Sequence, residues 1–239
     1  MKNNAQHLYW SSVILVLLVG SIGCGKTGAS FNTSAISYIS IMNMAPYSST
    51  VDIYFNGTLV SPSGGIAPGL YSKQYGQFKP GNYTVDFKKT GTDSLLYELP
   101  ALQYDTSAFY TIVLYNISSG SPAVQAAVIQ DNFSQVNNNT MAYWRFLDMS
   151  PDASNVSLSM NGTVVQSGRT PADNFSSQVF NQFQQISSGN YTLQVQNSVT
   201  DSVLATQSNY AFGQGDVYTI FLTGTAKAGM TVNVLPVIF

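Results

Sequence analysis

Very few side chains in this 239-residue sequence could abstract a proton, attack a carbonyl or hold a metal. There is one histidine, His7, and one cysteine, Cys24, both near the start of the chain. Without an imidazole further on, Ser–His–Asp and Cys–His arrangements cannot be assembled there. Zinc sites built on Cys or His are excluded for the same reason. A carboxylate pair could serve glycoside hydrolysis. The single glutamate, Glu98, lies in Leu95-Leu96-Tyr97-Glu98-Leu99, where strand alternation turns it toward solvent. Gly213-Gln214-Gly215 leads into a strand-like run and reads as a turn, not as a phosphate cradle before a helix. Asp148 and Asp152 bracket Met149-Ser150-Pro151 and are the one pair that calcium could use, because oxygen ligands suffice for it. A calcium site needs several more such ligands, so the expectation is an Asp capping the Pro turn through its own backbone amides. The sequence thus predicts no catalytic residues, no metal and no cofactor.

Composition narrows the class further. Only 8% of residues are charged, 44% are hydrophobic and 13% aromatic, and the formal net charge is -2. A disordered chain combines low hydrophobicity with high charge. A non-specific nucleic-acid binder presents a basic face, and a disulfide scaffold needs paired cysteines. None of these fits. A neutral coat of Ser, Thr, Asn and Gln over a Tyr- and Val-rich chain fits an all-β surface or secreted protein.

The address is written at the start. Lys2 precedes an unbroken apolar run, Val13 to Val19, too short to span a bilayer as a helix. Gly20-Ser21-Ile22-Gly23-Cys24 follows, and it resembles a bacterial lipoprotein lipobox, although Ser21 stands where that pattern prefers Leu. The resemblance implies a signal peptide over 1–23, cleavage after Gly23 and lipid on Cys24. A small, polar tether over 24–34 would then connect the anchor to the folded part. By resemblance to lipoprotein sorting, Gly25 in place of Asp points to the outer membrane of a bacterial cell envelope. Lipid chains hold a protein at a membrane by burying methylenes, at about 0.8 kcal/mol each. Cleavage would also remove His7.

The rest of the chain is written twice. Tyr38–Val60 and Tyr143–Val165, 105 residues apart, share nine of twenty-three positions. Gly81–Tyr97 and Gly189–Ala205, now 108 apart, share eight of seventeen, so the second copy carries a small insertion between the blocks. The copies fall over 35–133 and 141–239, with the polar stretch 134–140 as a linker. Each reads as short alternating strands, such as Val51, Ile53 and Phe55 against Asp52 and Tyr54. Tyr110, Ile112 and Leu114 alternate with Thr111 and Val113 in the same way, which predicts one buried and one solvated face. Asn56-Gly57 and Asn161-Gly162 mark hairpin turns. Asn-X-Ser/Thr triplets at Asn56, Asn82, Asn161 and Asn190 recur in both copies and read as turn chemistry. The spacing predicts about seven strands per copy in a two-sheet sandwich.

The run Trp144 to Ala153, with Asn161-Gly162-Thr163, Gly189-Asn190-Tyr191-Thr192 and Val217-Tyr218-Thr219-Ile220, resembles a bacterial domain known only as a domain of unknown function. The resemblance covers both copies and implies two tandem Ig-like antiparallel β-sandwich domains in an exported lipoprotein, with no reaction attached. The first copy departs from it where Ser40, Asn43 and Tyr47 replace Arg145, Asp148 and Asp152.

Aromatic residues are shared unequally: ten tyrosines fall in the first copy and four in the second. Tyr83 and Tyr110 match Tyr191 and Tyr218 and are expected in the core. Tyr47, Tyr54, Tyr71 and Tyr75 have no such partners and are the candidate ligand-binding residues. Exposed tyrosine offers flat apolar area and a hydroxyl at low entropy cost, which suits a glycan or a protein partner. Packing at the junction between the copies is the competing reading. Together these features predict a non-enzymatic lipoprotein, membrane-bound through its lipid, whose two domains act as spacer and binding modules for a polysaccharide or surface protein. The alternative is a carbohydrate-binding module using the first domain's tyrosines.

Overall fold

A computed structural model describes residues 35–176 and 178–238. The expected signal peptide over 1–23, Cys24 and the expected tether over 24–34 lie outside the described residues. The first copy contains β1 (Ser37–Asn43), β2 (Val51–Phe55), β3 (Thr58–Leu59), β4 (Gly76–Phe78), β5 (Gly81–Lys89), β6 (Leu95–Tyr104), β7 (Phe109–Asn116) and β8 (Val124–Asp131). They form two sheets, β4-β1-β7-β8 and β3-β2-β5-β6. The second copy repeats the plan. It contains β9 (Met141–Asp148), β10 (Val156–Met160), β11 (Thr163–Arg169), β12 (Gln184–Ser187), β13 (Gly189–Asn197), β14 (Val203–Phe212), β15 (Val217–Thr225) and β16 (Gly229–Val237). Its sheets are β12-β9-β15-β16 and β11-β10-β13-β14. Two four-residue helices, α1 (Asp173–Ser176) and α2 (Gln178–Asn181), occupy the stretch where the second copy carries its insertion.

The chain is therefore all-β, in two sandwiches, as the alternation and the turn residues require. Inward positions of both sheets meet in one core per copy: Ile39, Ile53, Phe87 and Ile112 in the first, Trp144, Phe146, Val195 and Ile220 in the second. The turns are the duplicated ones. Asn56 and Asn161 adopt φ of 46° and 49°, followed by Gly57 and Gly162 at 77° and 79°. Positive φ at both central residues matches the right-handed twist of the flanking strands. Each Asn also clamps the neighbouring strand. Asn56 accepts from the Thr84 amide at 2.9 Å, and Asn161 accepts from the Thr192 amide at 2.8 Å.

Three expectations are corrected. Among the described residues each copy has eight strands, and the sheets are mixed: β1 runs parallel to β7, and β9 parallel to β15. A parallel pair needs a crossover connection, which here is supplied by the chain passing through the opposite sheet. Nor does the second face of these strands meet water. Thr111 and Val113 are buried, as are Arg145, Leu147, Thr219 and Phe221. A parallel pair covered on both sides reads as a near-continuous apolar run, and Phe109–Asn116 and Met141–Asp148 are such runs. What covers the second face is the other copy. Met42, Met44, Val113 and Ile129 pack with Leu147, Met149, Phe221 and Leu235 in one apolar cluster. The two sandwiches belong to a single compact unit.

Candidate functional site

The joint between the sandwiches holds the most unusual chemistry of the molecule. At its centre Arg145 of β9 meets Asp131 of β8, with side chains 1% and 0% exposed. Arg145 Nη1 donates to Asp131 Oδ1. Thr111 Oγ1 and Tyr75 OH each donate to Asp131 Oδ2 at 2.6 Å. Arg145 Nε donates to Thr219 Oγ1 at 3.0 Å, and its guanidinium lies 4.7 Å from the centre of the Phe183 ring. Burial, and then the charge on Asp131, push the Tyr75 hydroxyl above the usual phenol range, so it remains a donor. A buried ion pair pays a desolvation penalty that only good geometry and further hydrogen bonds offset. The two hydroxyl donors on the carboxylate, and the threonine and ring beside the guanidinium, meet that need.

The joint also pairs positions with their own repeats. Met42 packs in one cluster with Leu147, Met44 with Met149 and Val113 with Phe221, and these are equivalent positions of the two copies. Thr111 and Thr219, also equivalent, both accept from Arg145. Tyr47 OH donates to Asp152 Oδ1 and Oδ2 at 2.9 and 2.7 Å, across a separation of 105 residues. Contact between equivalent residues is the property of a self-complementary, isologous interface. The faces that meet are thus the equivalent sheet faces of the two copies.

This changes the reading of the tyrosines. Tyr47 bonds Asp152. Tyr71 sets its ring edge-on to Phe221, centroids 5.7 Å apart. Tyr75 bonds Asp131. Tyr47 and Tyr71 thus reach across to the second sandwich, whereas Tyr75 bonds within the first, beside Arg145; all three are half-buried, in line with packing at the junction between the copies. Tyr54 is half-buried, away from the joint, with Lys88 Nζ 4.8 Å from its ring centre. Tyr110 and Tyr218 lie in the cores, each hydroxyl accepting from a backbone amide five residues before it, Asp105 and Gly213.

Glu98 is exposed. Asp148 and Asp152 do not converge. Asp148 is fully buried and accepts from the Ser150 amide at 3.2 Å, the turn geometry expected of it. Asp152 accepts from Tyr47 and, at 2.7 Å, from the Ala226 amide. Burial alone would raise the Asp152 carboxyl, but its hydrogen bonds from Ser119, Tyr47 and Ala226 hold it below the usual range. Beside the ion pair lies a cavity of about 10 Å³, lined by Tyr75, Arg145, Thr219 and Pro236. That is room for about one water-sized group. A much larger open cleft, about 710 Å³, runs between the two sandwiches; Phe109, Gln130, Phe133, Phe175, Asn181 and Gln182 are among its walls. Sequence reasoning did not single out Asp131. The usable signal was a lone Arg at position 145 inside an apolar strand, which demands a buried partner.

A family model described as a domain of unknown function (DUF4397) matches the chain twice, over residues 37–159 and 142–236. The first match runs on into the second sandwich, so the two overlap over residues 142–159, and together they span both sandwiches. No curated protein matches the chain.

Proposed function

The chain belongs to the DUF4397 family, and from this starting point we propose that it is a non-enzymatic lipoprotein of the bacterial cell envelope whose two sandwiches act as one stiff spacer and binding unit. The observation that carries the reading is the joint. Three of the four tyrosines that a carbohydrate-binding first domain would need are engaged in it, and so is the apolar face that could have received another protein. A chain that invests a buried ion pair and eight apolar side chains in fixing two sandwiches together is built to hold a defined length. Cys24 supplies the attachment at one end. Lipid on that thiol would place the molecule in the outer membrane. Metabolic labelling with a fatty-acid analogue tests this: label appears on the wild type and disappears in Cys24→Ser. An unlabelled wild type would remove the anchor.

The cleft between the sandwiches favours one ligand class over others. Its exposed wall residues, Ser107, Gln130, Asn132 and Gln182, carry hydroxyls and amides and no charge. With the ring of Phe175 beside them, this is a lining suited to an uncharged polysaccharide. Retardation of the protein in gels containing a neutral polysaccharide, reduced in Phe175→Ala with Gln182→Ala, is the expected result. Unretarded migration across a panel of neutral polysaccharides would eliminate the glycan and leave the spacer.

A further inference from the structure

Asp148, at the end of β9, is fully buried, and its counterpart in the first copy is Asn43. Both close the same turn. Asn43 Oδ1 accepts from the Ala45 amide at 3.2 Å, and Asp148 Oδ1 accepts from the Ser150 amide at 3.2 Å. The second atoms differ. Asn43 Nδ2 donates to the Ile66 carbonyl at 2.9 Å and to the Ser49 carbonyl at 3.4 Å. Asp148 Oδ2, the atom in the place of that amide nitrogen, is buried without a hydrogen-bond partner. An ionised carboxylate would leave charge on this uncompensated buried oxygen, whereas a protonated one is neutral there, as the amide is.

The charged groups acting on this carboxyl are Arg169 of β11, which attracts its charge, and Asp173 of α1, which repels it. Arg169 is committed elsewhere. It donates to the Phe146 carbonyl at 3.1 Å, to Gln166 and to Asn174 Oδ1 at 3.1 Å, and it sits 3.6 Å from Asp173. Burial therefore dominates and pushes the Asp148 carboxyl up to about 8, against the Ser150 amide and Arg169. The backbone of Asp148 in turn holds α1. Asn174 Oδ1 accepts from the Asp148 amide at 3.0 Å, and Asn174 Nδ2 donates to the Asp148 carbonyl. The next residue, Phe175, stacks on Tyr115 of the first sandwich with centroids 4.9 Å apart, and it also lines the cleft.

We propose that Asp148 is carried as a neutral carboxylic acid in the place of the first copy's amide, and that loss of its proton loosens the α1 clasp between the sandwiches. The folded protein holds this proton more tightly than the unfolded chain. The associated stability is fully present below about pH 4 and is lost as pH rises to about 8. The test follows the Asp148 carboxyl carbon by NMR while the protein is titrated. The expected midpoint lies near 8, and the Asn174 side-chain and Phe175 backbone signals move with it. In Asp148→Asn those movements vanish, and the unfolding temperature exceeds that of wild type by a margin that widens from pH 5 to pH 9. A carboxyl midpoint at or below 5, or Asn174 and Phe175 signals that do not follow the titration, overturns the proposal. Should the Asn variant fail to fold, the wild-type titration alone decides it.

Discussion

Asp131→Ala is expected to lower the stability of the protein by about 3–5 kcal/mol, the usual cost of removing one partner from a buried ion pair. The substitution strands Arg145, whose side chain is 1% exposed, as an uncompensated charge inside the joint. It also leaves Tyr75 and Thr111 without their acceptor. Surface pairs behave otherwise, contributing about 0–1 kcal/mol and weakening in salt. The distinction can be measured: denaturant unfolding of Asp131→Ala shows the same large loss at low and at high ionic strength. Replacing both partners, as Asp131→Leu with Arg145→Met, removes the stranded charge and is expected to recover most of the loss, because apolar substitutes of similar volume are often neutral or stabilising. A single-variant loss below about 1 kcal/mol would mean that the pair is solvated, and the joint less closed than described.

Phe221→Ala has a cost of similar size with a different cause. Phe221 is buried in the cluster between the sandwiches and receives the Tyr71 ring edge. Emptying that volume costs the transfer of the ring and the cavity left behind, about 3–5 kcal/mol for a buried Phe. Because Phe221 points away from its own core, most of this loss falls on the contact between the sandwiches. Calorimetry of the wild type should show one transition. Phe221→Asp, which places a charge in the apolar joint, should show two, as each sandwich unfolds around its own core. Two transitions in the wild type would mean that the joint contributes little coupling.

Much of the architecture is legible in the residues. Asn56-Gly57 and Asn161-Gly162 announce hairpins because few other pairs accept two positive φ values, and the doubled blocks announce two similar sandwiches. The joint is not legible by the same rule. Alternation assigns Thr111 and Val113 to solvent because it assumes one covered face, and Thr111 is polar enough to satisfy that assumption. The contrary signal lay in Phe109–Asn116 and Met141–Asp148, which carry apolar residues in both phases, as strands buried on both faces do. The tyrosines of the first copy are ambiguous for a related reason. Tyr47, Tyr71 and Tyr75 lack core-matching partners, which a ligand surface and an internal joint explain equally well. Only the position of Tyr47, equivalent to that of Asp152, hinted that the copies face one another. Asp148 hid in plain view: an Asp where the first copy has Asn43 looks like an ordinary exchange until burial makes the proton count.

The two sandwiches are held as one body by equivalent faces. Spin labels at the two hairpin turns, introduced as Asn56→Cys and Asn161→Cys in a Cys24→Ser background, report the distance between the sandwiches by pulsed electron resonance. The account predicts a single narrow distribution that broadens when Phe221→Asp is added. A broad distribution in the absence of that substitution would contradict it.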